Sequence, residues 1–138
     1  MSKKFLIAWA VTFVLWMIGG FLVHATLLQA DYLALPALYR AEADAQQHFP
    51  ALLLAHVIAA GALVWIYERG MQAKPWLNQG LRFGLATALL AIVPTYMIYY
   101  AVQPTPAMLA VKQCLFEGAW MLVLGVFLAW FYRNSKSV

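Results

Sequence analysis

Cysteine occurs once in this chain, at Cys114. One thiol cannot close an internal disulfide and cannot supply the pair that a membrane thiol oxidoreductase cycles, which excludes one class of small four-helix enzyme. Charge is also scarce. Only 10% of the 138 residues carry one, against roughly a quarter in soluble globular domains, while 65% are hydrophobic. A membrane protein is therefore expected. The sequence contains no phosphate-binding loop, no haem-attachment motif and no assembled catalytic triad, so a non-enzymatic role is expected ahead of catalysis.

Four apolar stretches account for most of the chain: about Phe5 to Gln29, Pro50 to Tyr67, Leu81 to Tyr100 and Ala107 to Tyr132. Each approaches the ~20 residues that cross a ~30 Å hydrocarbon core, and backbone polar groups that cannot bond to lipid must close on themselves as helices. The fold class expected is all-α, an integral membrane four-helix bundle, with residues 1–138 forming a single domain. The start, MSKKFLIAWAVTFVLWMIGGF, has the basic-then-apolar order of a signal peptide. Its apolar run is too long and lacks a small-residue cleavage site, so it reads as a retained first helix.

Basic residues set the expected orientation. Lys3 and Lys4 precede helix 1, Arg69, Lys74 and Arg82 flank the helix 2–3 connection, and Arg133 and Lys136 follow helix 4. The helix 1–2 loop carries Asp31, Glu42 and Asp44 against Arg40 alone. The positive-inside bias places both termini in the cytoplasm, in a multi-pass protein of the bacterial inner (plasma) membrane. This asymmetry accounts for the net charge of +4, so nucleic acid need not be invoked as a partner. The expected partners are the lipid bilayer and other membrane subunits, or a second copy of the chain.

Aromatic residues fall near both expected interfaces: Trp65, Tyr67, Trp76, Trp130 and Tyr132 at the basic end, Tyr32, Tyr39, Tyr96, Tyr99 and Tyr100 at the other. They read as anchors rather than as a ligand cage. In the outer loop, Pro36 is placed to start a short interfacial helix, and Thr105–Pro106 resembles a cap and first residue for helix 4. Pro94 lies inside helix 3, where it should free a carbonyl. Gly80, Gly84 and Ala88, with Gly118 and Gly125, supply small faces for close helix approach, within one chain or between chains.

The polar residues inside the apolar stretches are the candidate site. At ~1.5 Å per residue His56 lies about 9 Å below Pro50, and His24 and Gln113 reach a similar depth on helices 1 and 4. Glu117 is one turn deeper and shares a face with Gln113 and Cys114. A charge at a helix centre costs ~2.5–3.5 kcal/mol on insertion scales, so Glu117 must face the interior, be protonated or find a partner. Gln113, His56 or a tyrosine could serve. Lys112, about 140° round the helix from Glu117, is expected to snorkel to the outer headgroups. His48 reads as a solvated loop residue. Two imidazoles at matching depth could also ligate one haem b iron, with Gly20 leaving room for the porphyrin. A metal site of His24, His56 and Glu117 is disfavoured by the depth of Glu117.

The four-span layout, with GLRFGL at residues 80–85 and AWFYR at 129–133, resembles small four-helix bacterial inner-membrane proteins of unknown function. That resemblance implies a fold and a membrane and no active residue. Small multidrug exporters are comparable in size but carry their essential glutamate on the first helix, whereas helix 1 here has no acidic residue before Asp31. Three roles follow. The first is an accessory or assembly subunit of a membrane complex. The second is a small proton-coupled transporter or lipophilic-ligand binder using Glu117, with His24, His56 and Gln113 lining its pocket. The third is a haem-binding electron-transfer subunit using His24 and His56.

Overall fold

The structure, a computed structural model, describes residues 2–72 and 75–135, and no strand occurs among them. Lys74 and Lys136, two of the basic residues used above for orientation, lie outside the described residues. The elements in chain order are α1 (Lys3–Leu27), α2 (Gln29–Leu33), α3 (Glu42–Gln47), α4 (Phe49–Arg69), α5 (Trp76–Val102) and α6 (Ala107–Tyr132). Of these, α1, α4, α5 and α6 are long and apolar enough to cross a membrane.

Local chemistry explains where the boundaries differ from expectation. The third long helix starts at Trp76, just after Pro75, because the WLNQG segment is helical although it is more polar than the run that follows it. Pro36 does not open a helix. It sits in a turn, with the amides of Leu38 and Tyr39 both bonding back to Leu35, and the loop's helices form on either side. α3 carries Glu42 and Asp44 in its first turn, where carboxylates complement the exposed amides of a helix start. Pro106, not Thr105, takes the capping position of α6, and Thr105 falls one residue outside the helix. α1 is capped as its sequence suggests, with Ser2 Oγ accepting from the Phe5 amide at 3.1 Å.

Two long helices contain a widened, π-helical turn. In α5 it spans Ala88–Ile92, immediately before Pro94. Proline offers no N–H to the carbonyl one turn back, so the hydrogen-bond ladder re-forms one residue out. The second, Val23–Leu27 in α1, has no proline and carries His24.

α6 packs along both α5 and α1, and α1 packs in turn on α4. The α5–α6 contact is within one chain: Gly80 and Gly84 face Gly125, Met121 and Ala129, and a methyl group added at Gly84 would lie 2.6 Å from the Met121 carbonyl oxygen. Tryptophans lock the other two contacts. Trp9 lies over Gly61 and donates to the Val57 carbonyl of α4 at 2.8 Å, while Trp120 fills the notch at Gly19 and donates to Leu15 of α1 at 3.1 Å. Leu63, Val64, Met121, Leu124 and Leu128 form the principal core.

The described ends of the chain meet, with Lys4 Nζ donating to Ser135 Oγ at 2.6 Å. Trp65, Trp76, Trp130 and Tyr100 are exposed, as anchors should be. Tyr67 and Tyr132 are not. Each is only 3% exposed, and their rings pack 5.9 Å apart in the core, because both lie on the inward face of their helices.

Candidate proton and ligand site

The widened turn in α1 brings His24 to face α6, and the chain then turns back through α2 so that Tyr32 stacks on the same imidazole, with ring centroids 5.8 Å apart. Both ring nitrogens of His24 are engaged. Nε2 lies 2.7 Å from Glu117 Oε1, and Nδ1 lies 2.6 Å from the Tyr32 hydroxyl. Gln113 Nε2 donates to that hydroxyl at 3.3 Å. Glu117 therefore meets His24 directly. The partner of Glu117 is His24 rather than Gln113, His56 or a tyrosine.

One assignment of hydrogens satisfies this chain. Gln113 donates to Tyr32, Tyr32 donates to His24 Nδ1, and His24 Nε2–H donates to an ionised Glu117. Shifting each proton one place reverses it: His24 donates through Nδ1 to Tyr32, and a protonated Glu117 donates to Nε2. With Tyr32 re-protonated from the polar-cavity side, the second state holds one proton more than the first, so the three groups form a proton relay. Burial pushes the Tyr32 phenol up to about 12, which keeps it a hydroxyl donor at all physiological pH values.

Two cavities meet at His24. One, of about 390 Å³, is enclosed by α1, α4 and α6 and lined by Met17, Gly20, Phe21, Phe49, Leu52 and Ala25 together with His24, His56 and Glu117. Its rim residues Phe21, Phe49 and Leu52 are exposed, so it opens on the apolar surface between α1 and α4. The other, of about 470 Å³, is polar and tyrosine-rich, with Tyr32, Tyr39, Tyr96 and Tyr99 alongside Arg40, Gln103, Thr105 and Gln113. These four tyrosines, expected as interface anchors, line this cavity, with Tyr99 also exposed. The Thr105 hydroxyl, expected as a helix cap, is buried beside it and has no hydrogen-bond partner among the described residues.

His56 belongs to the first cavity alone. Its Nδ1–H donates to the Leu52 carbonyl of its own helix at 2.8 Å, which leaves Nε2 to accept. Gly20 lies opposite, where an added methyl group would sit 3.8 Å from that nitrogen. A haem held by His24 and His56 would need a free nitrogen on each ring, and His24 has neither. Among the described residues no cluster of three His, Cys, Asp or Glu side chains converges to hold a metal ion.

Lys112, expected to reach the outer headgroups, finds a partner in the outer connection. Its ammonium takes both carboxylate oxygens of Asp31 at 2.9 Å, because α2 carries that acid across to α6. His48 is exposed, as expected for a loop residue, and contacts only Asp44 of its own helical turn. Sequence reasoning missed Asp31 and Tyr32 as site residues. Their proximity to His24 in the chain was visible, but the turn that folds them back was not. No protein-family model, curated protein or solved structure matches this chain, so its function is argued from the site alone.

Proposed function

We propose that this chain is a bacterial inner-membrane four-helix bundle, both termini cytoplasmic, that binds a lipophilic ligand beside Glu117 and exchanges a proton there through His24 and Tyr32. One observation carries the reading: a continuous hydrogen-bonded relay, Tyr32–His24–Glu117, stands between a polar cavity and an apolar one. A carboxyl in an apolar cavity is costly unless something uses it, and intramembrane ionisable groups mark pathways for this reason. The orientation is supported by Lys4, Arg69 and Arg133 at the end where the described termini meet, against Asp31, Glu42 and Asp44 at the other.

Infrared spectroscopy of the protein in bilayers tests it. The Glu117 carboxyl band, assigned by its loss in Glu117→Gln, should respond to pH on the Tyr32 side, and Tyr32→Phe should slow its hydrogen–deuterium exchange. A carboxyl indifferent to both would refute the relay. A second reading, an accessory or assembly subunit, takes the same bonds as ties that fix α1 and α2 on α6. It is supported by how many helices the chain joins, and it expects Glu117→Gln to change stability alone.

A further inference from the structure

From the groups facing the apolar cavity, we infer that its ligand is a lipophilic amine, bound as its ammonium ion against Glu117 and His56. This rests on the proton-exchange reading above and names the ligand class for that site.

The hydrogen-bonding inventory of the cavity is one-sided. Glu117 Oε1 accepts from His24, and its second oxygen is free to accept again. His56 Nε2 is an acceptor because Nδ1–H is spent on the Leu52 carbonyl. The one donor nitrogen in reach, His24 Nε2–H, is committed to Glu117. A ligand entering here must therefore bring N–H or O–H donors, and one that brings only acceptors finds no free donor to bond.

Charge sharpens the choice. The described residues that line the cavity include one acid and no lysine or arginine. Lys112, on the same helix as Glu117, is held by Asp31, and Arg40, beside the polar cavity, is held by Asp44. The other ionisable groups around Glu117 are imidazoles and phenols rather than lysine or arginine: His24 from α1, Tyr32 from α2, His56 from α4, and Tyr96 from α5 in the adjoining cavity. An ammonium ion supplies the missing positive charge and several N–H donors at once. The remaining wall suits its body, since Phe21 and Phe49 offer aromatic faces that attract cations and Met17 and Leu52 bury hydrocarbon. The exposed rim on the α1–α4 surface gives access from the hydrocarbon region, where such amines partition.

The exchange balances. With Glu117 protonated the empty cavity is neutral. When the ammonium binds, the carboxyl proton leaves through His24 and Tyr32 toward the tyrosine-lined cavity, so one positive charge enters as one departs.

The test uses three probes with one ring system, 1-naphthylmethylamine, 1-naphthylmethanol and 1-naphthoate, titrated into the full chain in phosphatidylcholine nanodiscs. Naphthyl fluorescence is read against empty discs. The amine should bind about tenfold or more tightly than the alcohol, the carboxylate should not bind, and amine affinity should rise with pH. Glu117→Gln should remove both the preference and the pH dependence, and His56→Leu should weaken the amine more than the alcohol. Equal affinity for amine and alcohol, binding of the carboxylate, or an amine preference that survives Glu117→Gln overturns the assignment. The wild-type series decides even if a variant fails to fold. If amine preference is absent while the Glu117 band still responds to pH, the ligand class falls and proton exchange stands. If the amine binds but that band is unresponsive, the relay falls instead.

Discussion

Replacing Gly84 by alanine should destabilise the protein, although alanine is the better helix former by ~1 kcal/mol. The added methyl group would meet the Met121 carbonyl oxygen at 2.6 Å and the Leu122 Cα at 2.7 Å, and backbone atoms cannot rotate aside. Restoring ordinary contact at 3.4 Å requires α5 and α6 to part by about 0.8 Å. A gap of that size forfeits roughly a quarter to a half of each dispersion contact along the seam. Overpacking of this kind costs ~1–3 kcal/mol, so after the propensity gain a net loss of up to about 2 kcal/mol is expected. Gly118→Ala is the control, since its methyl group would lie 3.9 Å from Ala88 Cβ, an ordinary contact, and it should leave stability unchanged or raise it. Reversible unfolding in mixed micelles, titrated with SDS and followed by tryptophan fluorescence, measures both. If Gly84→Ala is as stable as the parent, or Gly118→Ala is equally harmful, close α5–α6 approach is not what these glycines provide.

Other outcomes follow from the site and its surroundings. A double-mutant cycle on Lys112→Gln and Asp31→Asn should give a coupling of ~0.2–1 kcal/mol that shrinks with added salt, because both side chains remain partly exposed. Trp9→Phe keeps most of the ring contact over Gly61 but deletes the bond to Val57, and should cost about 1 kcal/mol in the same unfolding assay. Tyr32 loses its proton near 10 when unfolded and near 12 when folded. Stability from this group is therefore intact below pH 10 and lost as pH rises through 12, and Tyr32→Phe should flatten that alkaline decline. An unchanged decline in the variant would assign it to other groups.

The four spans were legible because hydropathy and length suffice to specify them, and the last was placed to the residue. The polar layer of His24, His56, Gln113 and Glu117 was legible by depth, since a fixed rise per residue converts sequence position into height. Pairing within it was not. Depth says nothing of azimuth, and the bond from Glu117 to His24 depends on which way α1 faces after Val23. The partner of Lys112 was not legible for a related reason: the acid that holds it arrives on α2, a helix that no apolar run announces. Tyr32, Tyr39, Tyr96 and Tyr99 have the composition of an interface belt, and only the packing of the loop against α5 and α6 shows that they enclose space.

The widened turn at Val23–Leu27 makes chain length itself a determinant of the site. A helix advances about 100° per residue, so removing one residue there would swing everything after it by that angle. Hydropathy, net charge and span count would all survive such a deletion. Tyr32 and Asp31 would nevertheless arrive on another side of the molecule, away from His24 and Lys112. In this chain the spacing between His24 and Tyr32 functions as a phase setting, and variants that keep every polar side chain yet change that spacing by one should lose the relay.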